Sequence, residues 1–219
     1  MKRMRTRLRG RLAGGSMTKK AMPKLLLWAS LLAWSLVLAS CAPGMEPVII
    51  KSHGPYSPGD RGPAGGWIFF DKGNNSDGWR YLEAAPEDQG WAKWGCNGKS
   101  TPKARYSEIG AGITNTKAIL KECAEPDIAA RKCASYRGGG KSDWFLPSKD
   151  ELHAMYINLR KPGVGGLAGN YYWSSSETGN GRHAWGHNFT TGDQHYANKY
   201  PNWRVRAVRA FADSPAKER

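Results

Sequence analysis

"SDWFLPSKDELHAMYINLR", residues 142–160, holds the clearest local structure in the chain. Trp144-Phe145-Leu146 reads as a short buried strand that stops at Pro147. Ser148 and Glu151 then stand at capping-box spacing. Leu152, Met155, Tyr156 and Leu159 follow at i, i+3, i+4 and i+7, which places one apolar face on a helix. Working upstream, "TNTKAILKEC" (114–123) reads as a helix with Thr114 or Asn115 as N-cap. "EPDIAARKCAS" (125–135) reads as another, with Pro126 in its first turn. Downstream, "YYWSSS", "RHAWGHNF", "QHYANK" and "NWRVRAVRAF" are strands, with "TTGD" as the hairpin loop between the middle two. Two more short β runs, in "GGWIFFDKG" and "NNSDGWRYLEAA", precede the helices. Strands, then helices, then a run of antiparallel strands specify an α+β fold with two or three short helices, in a single compact domain over residues 59–212.

One upstream stretch tests that reading. "YSPGDRGPAGGWIFF" (56–70) contains two Gly-x-y triplets, Gly59-Asp60-Arg61 and Gly62-Pro63-Ala64. A collagen helix needs glycine at every third position over many triplets. Here Gly66 and Trp67 break the register after Gly65, so the stretch is a tight Gly/Pro turn feeding a strand.

The chain of 219 residues carries a formal charge of +15, from 33 Lys+Arg against 18 Asp+Glu. Nine of those bases and no acid lie in residues 1–40, leaving 24 against 18, or +6, for the remainder. Lys19, Lys20 and Lys24 precede the apolar run "LLLWASLLAWSLVLAS", and Leu38-Ala39-Ser40-Cys41 follows as a bacterial lipobox. Residues 1–40 are thus expected to be a lipoprotein signal peptide, for which Met17 would be a start of ordinary length. Cys41 is the expected lipidation site, since two or three acyl chains anchor stably where one does not. Residues 41–58, with four prolines, form a spacer, and 213–219 a polar tail. The expected location is a bacterial membrane, facing periplasm or cell surface, with the outer membrane favoured because Ala42 gives no retention signal of the Asp type. The mature cysteines are Cys96, Cys123 and Cys133, which allow one bridge in three pairings. Cys123 and Cys133, on neighbouring helical patterns, are the favoured pair, leaving Cys96 free.

"GDRGPAGGWIFFDKG", "SDGWRYLEAAP", "SDWFLPSKDEL", "YYWSSSE" and "RVRAVRAF", in this order, resemble the Lcl C-terminal-type family, the C-terminal domain of a bacterial collagen-like adhesin. The resemblance spans about residues 56–211. It implies a compact domain similar to the C-type-lectin and formylglycine-generating-enzyme group, displayed at the surface, and an association with sulfated glycosaminoglycans. The adhesin's collagen repeat is absent from this chain.

The chemistry-bearing residues favour binding over catalysis. His183 and His187 on one strand lie about 13 Å apart, too far for one zinc ion, and His195 brings no carboxylate to complete a site. "DKGNNSDG" offers Asp71, Asn74, Asn75 and Asp77 as oxygen ligands but lacks EF-hand spacing, so calcium is disfavoured and no cofactor is expected. "WSSSET" has no nucleophile elbow, and no catalytic residue is assigned. Exposed tryptophans can stack on sugar rings, and arginines can grip sulfate or carboxylate in bidentate fashion. The expected ligand residues are Arg182, Trp185, Trp203, Arg204 and Arg206, with Arg204 and Arg206 on one strand face and Arg209 on the other. The leading function is a non-enzymatic adhesin or glycan-binding lipoprotein whose partners are the bilayer and an anionic polysaccharide or host matrix. A structural envelope lipoprotein and an envelope enzyme are the alternatives. The modest mature charge and the compartment exclude nucleic acid.

Overall fold

The computed structural model describes residues 54–213, inside a unit spanning 48–219. The expected signal peptide, the expected lipidation site Cys41 and nearly all of the polar tail lie outside the described residues. Eight strands, β1 (Trp67–Asp71), β2 (Tyr81–Ala84), β3 (Trp91–Ala92), β4 (Tyr171–Glu177), β5 (His183–Asn188), β6 (Gln194–Asn198), β7 (Trp203–Arg204) and β8 (Val208–Phe211), form two sheets. One has the order β1-β2-β8, and the other β3-β7-β4-β5-β6, with β4 and β7 parallel and the other pairs antiparallel. Three helices, α1 (Gly112–Glu122), α2 (Ala129–Ser135) and α3 (Lys149–Met155), complete the α+β fold, and α3 runs on into a π-helical segment, Tyr156–Arg160.

In the 142–160 stretch the helix forms as its sequence dictates, whereas residues 144–146, expected to be a strand, are buried but make only an isolated bridge from Phe145 to Val208. Ser148 Oγ accepts from the Glu151 amide and Glu151 Oε2 accepts from the Ser148 amide, so both halves of the capping box are made. Leu152, Met155 and Leu159 are buried with Phe69, Leu82, Phe145, Tyr172 and Phe189 in one hydrophobic cluster. A second cluster under α1 and α2 collects Trp94, Ile119, Ile128, Leu146, Trp173 and Val205. Trp203 is stacked between Trp173, at 3.9 Å, and Tyr171, at 4.8 Å. A Cβ at Gly186 would fall 2.5 Å from the Trp203 ring, so this β5 position must be glycine for the indole to lie flat on the sheet.

The collagen-like stretch is a turn, as its broken register requires. Gly59 and Ile68 are joined by backbone hydrogen bonds, as are Gly62 and Gly66. The loop closes around the buried Glu83 carboxylate, which accepts from the Ala64 and Gly66 amides at 3.0 and 2.8 Å. Cβ atoms at Gly62 and Gly66 would lie 2.4 Å from the Glu83 carboxyl carbon and 2.1 Å from the Ala84 carbonyl oxygen.

Four further sequence expectations are corrected. The helix α1 begins at Gly112, ahead of Thr114 and Asn115, because Glu151 reaches across from α3 to accept from the Gly110 and Gly112 amides. Pro126 precedes α2, which starts at Ala129 after Asp127 takes a left-handed conformation (φ 53°). "NWRVRAVRAF" is two strands in different sheets, since residues 205–207 are buried in crossing from β7 to β8. The disulfide joins Cys96 to Cys123, not Cys123 to Cys133. Cys133 faces inward from α2, fully buried and free, while Cys123 sits on the extended residue after α1, where it meets the 95–98 loop.

Candidate functional site: a groove beside Trp91

The two-residue strand β3 lies at the edge of its sheet and pairs Trp91 with Arg204 and Ala92 with Trp203. Ala92 and Trp94 point into the core, so by strand alternation Trp91 and Lys93 point out. Trp91 is 49 % exposed, with the Arg204 guanidinium carbon 4.8 Å from its ring centroid. Beside it lies a cleft of about 510 Å³ walled by Trp91, Lys93, Glu125, Asp127, Lys132 and Asn202. Lys132 also lines an adjoining cleft of about 420 Å³, which continues past Glu87, Asp88 and Gln89 to Tyr136 and Arg137.

The far wall is held by long-range contacts. The Cys96–Cys123 bridge ties the loop before α2 to the segment after β3. Glu125 accepts from the Cys96 amide, and Arg131 donates to the Cys123 and Glu125 carbonyls. The Ala129 amide donates to the Lys93 carbonyl, fixing the start of α2 against β3. The segment 93–141 as a whole is basic, with ten Lys/Arg and four Asp/Glu, but the groove itself is mixed, with Lys93 and Lys132 facing Glu125 and Asp127 beside the aromatic face of Trp91.

The residues expected to bind a ligand do not form one site. Arg204 borders the groove, but its Nη1 donates to Asp88 Oδ2 at 2.7 Å. Arg206 is 1 % exposed; its Nε donates to Asp88 Oδ1 at 2.6 Å and its Nη atoms to the Ala85, Gly165 and Gly166 carbonyls. Its expected ligand role is therefore replaced by an internal one, and the same holds for Trp203 in its stack. Arg204 and Arg206 do share a side, with Asp88 between them, while Arg209 pairs with Glu83 and Asp143 on the other. Arg182 is exposed ahead of β5, and Trp185 is half-buried under Lys149 Nζ at 4.4 Å, both outside the cleft lining. Lys93, Lys132 and Asn202 were not legible as a site, because they meet only where α2 packs against β3.

The candidate metal ligands are engaged by protein. Asp71 binds Arg80 at 2.8 Å and accepts from the Gly73 amide, and the Arg80 hydrogen bond holds its carboxyl below the usual range. Asp77 faces Lys72, and Asn74 accepts from Ser76. His183 contacts Asn180, and His187 contacts His153. Among the described residues, the cluster Cys96, Cys123 and Glu125 has both sulfurs in the disulfide.

The model of the Lcl C-terminal domain matches residues 88–209, more than half of the chain, and takes in β3, the groove and all three helices. No curated protein matches the chain. The segments that build the groove, the helical layer and the five-stranded sheet thus all lie inside the match, and the chain belongs to the Lcl C-terminal domain family.

Proposed function

We propose that this is a non-enzymatic recognition domain of a lipid-anchored extracytoplasmic lipoprotein, and that it binds acidic polysaccharide in the groove beside Trp91. The observation that carries the reading is a half-exposed tryptophan set in a cleft that also presents Lys93, Lys132 and Asn202, alongside Glu125 and Asp127. A sugar ring would stack on the indole, and the lysines would meet its carboxylate or sulfate groups. Membership of the family supports an adhesin-related, extracellular setting and a lectin-like reading of the fold. Catalysis is set aside because the buried carboxylates Glu83, Glu151 and Glu177 and the partly buried Asp88 serve as caps and ion-pair partners.

Detergent-solubilised full chain, titrated with heparin-like and neutral polysaccharides across a salt series, tests this. Saturable binding to the anionic polymer that weakens with salt is expected. Trp91→Ala should lose about tenfold or more in affinity, the loss of a central aromatic anchor. Lys132→Ala should flatten the salt dependence, while Arg182→Ala, outside the groove, should change neither. Equal binding of neutral polymer, or an unaffected Trp91→Ala protein, would sink the groove assignment. Binding to no polymer would leave the envelope-assembly reading.

Anchoring is tested separately. Mass spectrometry of the membrane fraction should find the mature N-terminus at an acylated Cys41, and Cys41→Ser should leave the protein unprocessed or unanchored. A mature form starting elsewhere would refute it.

A further inference from the structure

A second cluster of titratable groups lies away from the groove, where α3 crosses β5. His153 Nδ1 sits 2.9 Å from His187 Nε2, with ring centroids 5.2 Å apart and planes 23° from parallel. Two imidazoles meeting head-on in this way share one proton, as N–H···N; ligands of a single ion would converge on a third point. Tyr156 stacks on His187 at 4.8 Å, and Phe189 meets it edge-on at 5.2 Å. His187 is 1 % exposed and its Nδ1 has no partner.

The surroundings decide what an added proton does. The helix α3 presents His153, and Lys149 one turn earlier over Trp185; Tyr156 opens the π-helical segment. From β5 comes Trp185 and from just after it Phe189, from β4 Tyr172 as the cross-strand neighbour, and from the β5–β6 hairpin Asp193 and Gln194. Burial opposes charging of His187 most and His153 opposes it as well, the Asn188 backbone and Asp193 favour it, and the net effect brings its pKa down to about 4. Whenever His153 donates across the contact, His187 accepts at Nε2 and carries its own proton on the buried Nδ1, which has no hydrogen-bond partner. Protonating both rings sets N–H against N–H across the contact.

We propose that the His153–His187 pair is an acid-released latch between α3 and β5: the neutral pair, sharing one proton, holds the C-terminal end of α3 and the π-helical segment to the sheet, and protonation of His187 lets that end go. The sign follows from linkage. His187 has a lower pKa folded than its ordinary 6.5, so its contribution is present above 6.5 and is lost as pH falls through about 4. Glu151, at the other end of α3, works in the opposite sense. Burial pushes its carboxyl up to about 7 against three backbone amides that hold it down, so its contribution is present below 4.5 and lost as pH rises through about 7. Global stability against pH mixes the two, and a local measurement separates them.

Hydrogen–deuterium exchange of the full chain at about pH 7 and about pH 4.5, corrected for intrinsic chemistry, provides it. Exchange in residues 152–161 should rise about tenfold to a hundredfold at the lower pH, while α1, whose Glu151 cap is favoured at that pH, should be no less protected. His187→Phe fills the aromatic cage with no titrating group, and His153→Gln offers an amide able to donate or accept. Both should abolish the local rise. If His187→Phe does not fold at neutral pH, His153→Gln carries the test, since residue 153 is half-exposed. A rise spread over the whole domain, a rise kept in the variants, or none in the wild type would overturn the latch.

Discussion

Glu177→Ala is expected to cost about 3–5 kcal/mol, because it strands a charge in the interior. Glu177 closes β4 with its side chain fully buried, and its Oε1 lies 2.7 Å from Lys199 Nζ, which is equally buried. Its Oε2 accepts from the Thr101 amide at 3.0 Å and faces the half-exposed Arg105 at 3.5 Å. Without it, Lys199 keeps the Lys99 carbonyl and the face of Trp94, at 4.2 Å, and no counter-charge. Burial already lowers the Lys199 pKa, and Glu177 is what holds it up. The expected result is a lower urea midpoint at unchanged slope. The double variant Glu177→Leu/Lys199→Met should recover most of the loss, since removing both charges leaves none uncompensated. A single-variant cost within about 1 kcal/mol would show that the pair behaves as a solvated one.

Glu83→Ala is expected to cost about 3 kcal/mol and to free the 59–66 loop. The variant orphans the Ala64 and Gly66 amides together and takes one carboxylate from Arg209, 3.2 Å away. Arg209 retains Asp143, whose two oxygens it meets at 3.0 and 2.8 Å, so the cost stays below that of a fully stranded charge. Burial lowers the Arg209 pKa, but the Asp143 and Glu83 contacts outweigh it, and the net shift is upward. Faster amide exchange at Gly62–Ile68 together with a lower urea midpoint would confirm the role. A uniform loss of stability with that loop still protected would contradict it.

These two carboxylates mark where the sequence stops being readable. Ser148 and Glu151 announced α3 because a capping box joins residues three apart. Leu152, Met155 and Leu159 announced its buried face because a helix turns every 3.6 residues. Trp67–Asp71 announced a strand, and Gly66-Trp67 announced that no collagen helix could continue. The same Glu151 that was legible as a local cap also caps α1, 39 residues away from Gly112, and nothing in "GITNTK" foretold it. Thr114 and Asn115 looked like N-caps; Asn115 is instead turned inward to the Tyr106 carbonyl.

The site shows the same division. Aromatic and basic content drew attention to Trp203, Arg204 and Arg206 and not to Trp91, the tryptophan that the fold leaves half-exposed. Arg206 and Trp203 looked equally available, because a single strand pattern cannot tell an exposed edge from a crossing between two sheets. What the sequence by itself determined was the order and kind of the elements, since periodicity, caps and turns are contacts within a few residues. Only the tertiary structure decided which of those elements pack together. That packing paired Asp88 with Arg206, Glu83 with Arg209, Glu177 with Lys199, His153 with His187 and Cys96 with Cys123, and so determined which charges were spent inside and which faced the groove.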